Sequence, residues 1–331
     1  MGNKLRIGAT CGDCNGIGLE VFLKAIAEYD AQQEAEWYLF VHPDTLRQTL
    51  QLLPLSIAAH QTASHLIVAQ HKIAIVPVEP VAPVQFGVPT PQAARLAYNA
   101  LQAAADWVER GQLDALVTLP VSKHSLAQVG FSAAGQTDWL AHRFQVSSYL
   151  MMFWSSQLII ALATIHIPLR QVATAISSAL LHRQLQLLAA TLRRDFAYAH
   201  PAIAVLGLNP HAGENGLLGT EEQEIIVPAI RMAQQDGIAV EGPFAADAFF
   251  GQQRYRQFTA TLALYHDQGL IPLKLLAHGE AVNTTAGLPF VRTSPDHGTA
   301  YDIAGKGIAN PASCAAALRL AQQLVRNRQQ A

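Results

Sequence analysis

Short apolar runs alternate along this chain with longer segments in which apolar residues recur at helical spacing. Runs typical of buried strands cover residues 5–9, 37–41, 115–118, 149–154, 158–164, 202–206 and 259–265. Helical patterns cover residues 19–29, 91–110, 180–194, 220–235 and 312–327. Such an alternation predicts an α/β protein with largely parallel sheets.

The composition bounds the size of the fold and its partners. The chain has 331 residues, of which 50% are hydrophobic and 14% are charged, so it can bury the cores of two domains. A formal net charge of -2 favours neither a nucleic-acid partner nor an anionic membrane surface. A small anionic substrate is compatible with this net charge, because a few cationic side chains in a pocket suffice to bind it.

No segment has the pattern of a secretory signal or a membrane span. No apolar run reaches the ~18 residues that a span requires. The longest candidate, residues 149–165, is broken by Ser155, Ser156 and Gln157, which favours a turn between two buried strands. Three cysteines do not make a disulfide framework in a chain of this length. We therefore expect a soluble protein of the reducing cytoplasm with no membrane partner.

The segment GDCNGIGLE, residues 12–20, follows the first predicted strand and combines the features of two kinds of site. Its glycines have the spacing G-x-x-x-G-x-G, which differs from the G-x-G-x-x-G of a dinucleotide-binding loop. A tight strand-to-helix turn, with a helix N-terminus that can face an anion, fits the pattern better. Cys11 and Cys14 have CxxC spacing without a second pair, so a metal or redox site is not indicated.

Three histidines directly follow predicted strands: His166, His211 and His266. In an open parallel sheet, ligands bind outside the carboxyl ends of the strands. If the three strand ends are neighbours, their imidazoles can hold zinc or another transition metal and leave one coordination position open. The alternative is that each is an ordinary surface histidine or a hydrogen-bonded core residue.

A second group of polar residues lies in the last third of the chain and comprises Lys274, Asn283 and Arg292. Lysine and arginine in loops near a metal site are the groups that bind carboxylate or phosphate. Ordinary solvated charge is the alternative. Charged residues are scarce in this chain, however, and Arg292 follows the apolar segment GLPFV, which favours a function.

Motifs along nearly the whole chain resemble those of the 4-hydroxythreonine-4-phosphate dehydrogenase family of vitamin B6 biosynthesis. The matches, in order, are GDCNGIGLE (12–20), TLPVSK (118–123), GQTD (135–138), TIHIPL (164–169), GLNPHAGE (207–214), GTEE (219–222), YHDQG (265–269), GLPFVRTS (287–294) and DHGT (296–299).

The resemblance implies an isocitrate/isopropylmalate-dehydrogenase-like fold with two α/β/α domains and a cleft between them. It places residues 1–125 and 285–331 in the first domain and 126–284 in the second, which carries most of the ligands. It also implies a homodimer whose sites are shared across the interface. The expected metal ligands are His166, His211 and His266, and the expected substrate-binding residues are Gln136, Thr137, Lys274, Asn283 and Arg292.

The sequence departs from the family pattern at four positions. Gln136 stands where the family usually has a substrate-contacting histidine. Glutamine still donates a hydrogen bond to phosphate, but it carries no positive charge and shuttles no proton. This opens the possibility of another phosphorylated hydroxy acid as substrate. Cys11, Cys14 and Leu19 stand where the family more often has proline, so the thiols are not expected to take part in its chemistry.

The activity implied by the resemblance is the oxidation of 4-phosphooxy-L-threonine by NAD or NADP with one divalent metal ion, zinc, magnesium or cobalt. The product, 2-amino-3-oxo-4-phosphooxybutanoate, is a β-keto acid and decarboxylates to 3-amino-2-oxopropyl phosphate, in pyridoxine 5'-phosphate biosynthesis. Asp247 and Asp267 are candidates by position for the catalytic base, or for orienting a histidine ligand. Two alternatives stay open: a dehydrogenase of 4-phospho-threonate or 4-phospho-erythronate, and a metal-dependent hydrolase or lyase of a phosphorylated substrate.

Overall fold

The computed structural model describes residues 4–29 and 35–330. Its strands are β1 (Leu5–Thr10), β2 (Ala35–Val41), β3 (Ala59–Gln61), β4 (His65–Val68), β5 (His71–Pro77), β6 (Ala115–Thr118), β7 (Leu150–Trp154), β8 (Ile159–Leu162), β9 (Ala202–Leu206), β10 (Ala239–Phe244), β11 (Ala260–Ala263), β12 (Val282–Ala286) and β13 (Val291–Pro295). Its α-helices are α1 (Gly18–Ala27), α2 (Pro43–Leu52), α3 (Pro91–Glu109), α4 (Lys123–Gln128), α5 (Gln136–Arg143), α6 (Val172–Ala175), α7 (Ser178–Arg194), α8 (Val227–Gln235), α9 (Ala246–Gly251), α10 (His266–Ala277) and α11 (Ala312–Gln330).

The chain forms two compact units. Unit 1 comprises Met1–Phe144 and Pro289–Arg326, and unit 2 comprises Gln145–Leu288 and Asn327–Ala331. The boundaries between the units lie at residues 144/145 and 288/289, whereas the sequence analysis expected them at 125/126 and 284/285. Residues 126–144 lie in unit 1, where the rings of Phe131 and Trp139 pack edge-on against Tyr98 of α3. These aromatic contacts attach the segment to unit 1, whereas the expected division placed it in the second domain.

Unit 1 is built on a mixed sheet in the order β13-β6-β1-β2-β5-β4-β3. Neighbouring strands from β13 to β5 are parallel, and β5–β4 and β4–β3 are antiparallel. Helix α3 packs on β1, β2 and β6. It begins where the Thr90 hydroxyl accepts a hydrogen bond from the Ala93 amide, and Pro91 occupies its first position. Six of its alanines are buried, which allows close approach to the sheet.

Unit 2 has a sheet in the order β10-β9-β11-β8-β7-β12. Strands β10, β9, β11 and β8 are parallel, whereas β7 is antiparallel to both β8 and β12. The turn predicted at Ser155–Gln157 joins β7 to β8. Strands β8 and β11 are buried throughout, as expected for parallel strands covered on both faces. Large apolar side chains such as Phe153, Ile160 and Phe249 fill the core of this unit.

The α/β class is confirmed, and the predicted strands all occur with ends shifted by a few residues. The predicted helix at 220–235 is interrupted, because it begins with a π-helical turn at Glu222–Ile226 before α8. Strands β3, β4, β5, β10, β12 and β13 and several helices, α10 among them, were not predicted. No helix among the described residues is long and apolar enough to cross a membrane.

The GDCNGIGLE segment forms a tight connection between β1 and α1 in unit 1. Gly12 has φ 62°, and a Cβ atom there would lie 2.5 Å from the Pro120 carbonyl oxygen, so the position requires glycine. Cys11 and Cys14 are completely buried. Burial raises the pKa of the Cys14 thiol to about 12, and the negative charge of Asp13 adds to the shift. The segment forms a tight turn, and the burial of its thiols disfavours the reactive thiolate form.

Candidate functional site

Three adjacent parallel strands of unit 2 end in histidine-bearing segments. Strand β11 lies between β8 and β9, so the carboxyl ends of the three strands share one edge of the sheet. His166 follows β8, His211 follows β9 and His266 begins α10 directly after β11. The sequence predicted that these histidines follow strands, and the pairing makes those strands neighbours.

A cavity of about 360 Å³ opens at this edge, a size typical of small-molecule sites. His166 and His266 both line it, with ring centroids 6.1 Å apart. Thr164 and Asp267 contribute polar groups, and Leu169 is among the apolar lining residues. The cavity therefore combines two imidazoles with an apolar wall.

The carboxylate of Asp267 contacts the ring of His266. The Nδ1 atom of His266 lies 2.7 Å from Oδ1 of Asp267, a distance at which Nδ1–H donates to the carboxylate. This arrangement makes Nε2 the nitrogen available to a ligand. It is the contact by which proteins commonly orient a metal-binding histidine.

His211 is held apart from this pair in an exposed turn with an unusual backbone. Its φ is 54°, and residues 212–215 also have positive φ angles. His211 does not line the cavity. Within residues 4–29 and 35–330 of one chain, no three His, Cys, Asp or Glu side chains are grouped closely enough to hold a metal ion. One chain thus brings together two of the three predicted ligands.

Gln268 links the strand ends that carry the histidines. It is buried in the first turn of α10, where its carboxamide oxygen accepts from the Leu264 amide at 2.7 Å and its Nε2 donates to the Gly207 carbonyl at 2.7 Å. The Thr164 hydroxyl donates to the Leu264 carbonyl at 2.7 Å. The ends of β8, β9 and β11 are therefore tied together by side-chain hydrogen bonds.

Arg292 and Thr137, two predicted substrate-binding residues, meet in the interior of unit 1. Arg292 lies on β13 and is only 3% exposed. Its Nη1 donates to Thr137 Oγ1 at 3.1 Å, and its Nε and Nη2 donate to Thr118 Oγ1 at 3.0 and 2.6 Å. Burial lowers the pKa of Arg292 to about 10, while the charge of Asp138 raises it, so the guanidinium is charged at neutral pH.

The other predicted site residues lie in different surroundings. In unit 1, Gln136 is half-buried at the start of α5 and donates from Nε2 to the Leu119 carbonyl at 3.2 Å. In unit 2, Lys274 is exposed on α10, and Asn283 is half-buried on β12 opposite Phe153. Asp247 is exposed in the first turn of α9.

Two residues of these networks, Thr118 and Gln268, were not predicted from the sequence. Each lies inside a motif that carried the family resemblance, TLPVSK or YHDQG, which is the signal that could have found it. Neither has a side chain whose chemistry alone suggests a site. Their roles depend on partners distant in the sequence.

Unit 2 thus presents histidines at the ends of adjacent parallel strands beside a cavity, and unit 1 presents a buried arginine held by hydroxyl groups. On an α/β fold, these features define an enzyme that binds a small anionic substrate. A family model described as "Pyridoxal phosphate biosynthetic protein PdxA" matches residues 33–321. The chain belongs to this family.

Individual relatives agree with this assignment. A 4-hydroxythreonine-4-phosphate dehydrogenase from Bacteroides thetaiotaomicron is 41% identical over 331 residues, which cover 99% of this chain and 90% of that protein. The crystal structure of an enzyme with the same name from Klebsiella pneumoniae is 37% identical, with a TM-score of 0.81, and the match covers 98% of this chain and 100% of that one. The expected family, and with it the class of dehydrogenase enzymes, is confirmed.

A more distant structure bears on the fold alone. Isocitrate dehydrogenase from Methylococcus capsulatus is 15% identical, with a TM-score of 0.50, and the match covers 98% of this chain and 87% of that one. The expected isocitrate-dehydrogenase-like fold class is confirmed.

Proposed function

We propose that this protein oxidises 4-phosphooxy-L-threonine with NAD or NADP and one divalent metal ion, zinc, magnesium or cobalt, to 2-amino-3-oxo-4-phosphooxybutanoate. That β-keto acid loses CO2 to give 3-amino-2-oxopropyl phosphate, a step of pyridoxine 5'-phosphate biosynthesis. The observation that carries the proposal is the position of His166, His211 and His266 after three adjacent parallel strands, with His166 and His266 lining one cavity. Membership of the PdxA family supports the same reaction.

The residues at the strand ends fit a divalent metal ion. Imidazole nitrogen is a good ligand for zinc and cobalt, and the hydrogen bond from His266 to Asp267 is of the kind that directs Nε2 toward a metal. His166 lines the same cavity as His266, and we assign His211 as the third ligand. When bound, the ion would supply Lewis-acid polarisation of the substrate oxygens.

We assign the anionic groups of the substrate to cationic and hydrogen-bonding residues. The guanidinium of Arg292 is charged at neutral pH and is oriented by Thr118 and Thr137. Its planar fork suits phosphate or carboxylate. Lys274 supplies a flexible second cation, and Asn283 and Gln136 supply amide donors.

Asp267 is the residue that we assign to orient His266, because its carboxylate already accepts from Nδ1 of that ring. Asp247 is the remaining candidate for the general base. It is exposed at the beginning of α9, and a carboxylate is one of the side chains that act as a general base.

We propose a homodimer in which the metal site is completed across the interface. Within one chain, the described residues bring only His166 and His266 to a common cavity. Leu169, which lines the cavity, is 70% exposed, and Ile271 and Leu275 on α10, the helix that begins at His266, are 59% and 70% exposed. An apolar surface beside an incomplete site is what a subunit interface requires.

The proposed reaction is tested with purified, metal-free protein supplied with 4-phosphooxy-L-threonine, NAD+ or NADP+ and Zn2+, Mg2+ or Co2+. Formation of reduced cofactor is followed by absorbance. We expect metal-dependent turnover that is lost in His166→Ala, His211→Ala and His266→Ala. No turnover with any metal, or full activity in all three variants, would refute the proposal.

Gln136 supports a second candidate, a same-fold dehydrogenase of 4-phospho-threonate or 4-phospho-erythronate, because it stands where the family usually has histidine. Measuring kcat/KM with 4-phosphooxy-L-threonine, 4-phospho-threonate and 4-phospho-erythronate distinguishes these dehydrogenase activities.

The strand-end histidines and the residues assigned to phosphate also suit a metal-dependent hydrolase or lyase. A hydrolase would release inorganic phosphate without a nicotinamide cofactor, and a lyase would cleave the substrate without it.

A further inference from the structure

The turn that carries His211 is strained. Residues 211–215 all have positive φ angles, and four of them, His211, Ala212, Glu214 and Asn215, are not glycine. Non-glycine residues rarely adopt this left-handed conformation, and it persists only where surrounding contacts impose it. A run of four in one turn therefore requires a specific anchor.

Glu222 provides that anchor. Its side chain is buried, although the residue begins the π-helical turn that precedes α8. Its Oε1 accepts from the backbone amides of Leu208 and Asn209 at 2.8 and 2.7 Å, and its Oε2 accepts from Asn209 Nδ2 at 2.9 Å. One carboxylate thus fixes the segment directly before the strained turn.

The surrounding backbone is shaped around these two side chains. A Cβ atom on Gly213 would lie 2.6 Å from Glu222 Oε2, and a Cβ atom on Gly219 would lie 2.4 Å from Asn209 Nδ2. Asn209 Nδ2 also donates to Glu221 Oε2 at 2.7 Å. Because both glycines have positive φ and no space for a side chain, the turn closes tightly over the carboxylate–amide pair.

We propose that Glu222, acting with Asn209, is a positioning residue that holds His211 in the orientation needed to bind the divalent metal ion. This inference rests on the proposed function, in which His211 is a metal ligand. Glu222 does not touch the metal. It acts by stabilising the left-handed turn on which the imidazole is mounted.

A carboxylate is the group that this position needs. The three donors that surround it are N–H groups, and an ionised carboxylate only accepts hydrogen bonds. In Glu222→Gln, an NH2 group would replace one oxygen and face either the Asn209 amide or a backbone N–H. Size is preserved, so the variant removes the match of donors and acceptors without opening a cavity.

The test measures Co2+ binding to metal-free, full-length protein, by titration of the visible absorption of the bound ion. Glu222→Gln and Asn209→Ala are compared with wild type, with His211→Ala and with Glu224→Gln. The control removes the same charge from an exposed position on the same turn. Asn209→Ala keeps the carboxylate and both backbone hydrogen bonds, so it tests the pair if Glu222→Gln does not fold. Circular dichroism of the metal-free variants checks the fold.

We expect Glu222→Gln and Asn209→Ala to bind Co2+ about 10- to 100-fold more weakly, as residues that support metal ligands typically do, with an altered absorption spectrum. Glu224→Gln should stay within about twofold of wild type, since it lies on the surface. The positioning role alone would be overturned if both folded test variants bound Co2+ with wild-type affinity. It would also be overturned if Glu224→Gln lost as much Co2+ affinity as the test variants. If wild type binds no Co2+, or His211→Ala binds it equally well, the proposed metal site fails and the positioning role with it.

Discussion

The guanidinium of Arg292 and the hydroxyl of Thr118 form a close polar contact in the interior of unit 1. Two nitrogens of Arg292, Nε and Nη2, donate to the single oxygen Thr118 Oγ1 at 3.0 and 2.6 Å. Both residues are almost completely buried. A neutral hydroxyl thus accepts two hydrogen bonds from one edge of the guanidinium.

Thr118→Val should destabilise the protein by about 1–3 kcal/mol, because it leaves N–H donors of a buried cation without their acceptor. Urea unfolding measures the change. Thr191→Val is the matched control: Thr191 is also buried, and its hydroxyl has no hydrogen-bond partner among the described residues. The control should be neutral or slightly stabilising. An equal loss of unfolding free energy in the two variants would show that the Arg292–Thr118 contact contributes little to stability.

Arg292→Lys should reduce kcat/KM about 100-fold, chiefly by raising KM for the phosphorylated substrate. A lysine ammonium cannot span Thr118 and Thr137 and still present a planar fork to an anion. Steady-state kinetics over a range of substrate concentrations checks this. Arg319→Lys, on the exposed side of α11, is the control with the same chemical change. An unchanged KM in Arg292→Lys would show that Arg292 does not bind the substrate.

Asp267→Asn separates the two roles considered for that carboxylate. If Asp267 orients His266, the variant should bind Co2+ about tenfold more weakly, because asparagine still accepts from Nδ1 but lacks the charge. If Asp267 is instead the general base, kcat should fall about 10²- to 10⁴-fold with metal affinity unchanged. Asp44→Asn, at an exposed site in α2, serves as the control. We expect the first result.

Asp195→Asn should lower the free energy of unfolding by about 1–3 kcal/mol at pH 7. Burial raises the pKa of Asp195, but hydrogen bonds from Arg328 and Arg194 outweigh it and hold that pKa below its usual value. A carboxyl with a depressed folded-state pKa stabilises the protein above its unfolded pKa of about 4, and this contribution is lost as the pH falls through the folded pKa.

The difference between wild type and Asp195→Asn should therefore narrow as the pH is lowered from 7 to about 3, where the carboxyl of the unfolded chain is protonated. Urea unfolding at the two pH values measures it. Asp44→Asn, which breaks an exposed ion pair with Arg47, should cost less than about 1 kcal/mol at either pH. A pH-independent difference would assign the effect to packing alone.

The three cysteines should be unreactive in the native protein. Cys11, Cys14 and Cys314 are completely buried, and burial raises the pKa of each thiol, so little thiolate forms near neutral pH. A thiol reagent at pH 8 should label none in the native state and three per chain in guanidinium chloride. Rapid native labelling of Cys11 or Cys14, or loss of activity in Cys14→Ser, would reopen a role for the CxxC segment.

The local pattern of the sequence was sufficient to predict the buried strands and the polar residues that follow them. Strands β8, β9 and β11 are short apolar runs, and a histidine follows each, so both facts can be found by inspecting neighbouring residues. Strands β12 and β13 were missed because VNTTA and VRTSP are not long apolar runs. They become strands through pairing with β7 and β6, which are distant in the sequence.

Only the tertiary structure decided which of these parts meet. The placement of β11 between β8 and β9 brings the histidine segments to one edge, and no local signal specifies that order. The contacts of Arg292 with Thr118, 174 residues away, and of Gln268 with Gly207, 61 residues away, depend on strand pairing and burial. Sequence therefore determined the chemical groups, which are local properties, whereas long-range packing determined their partners.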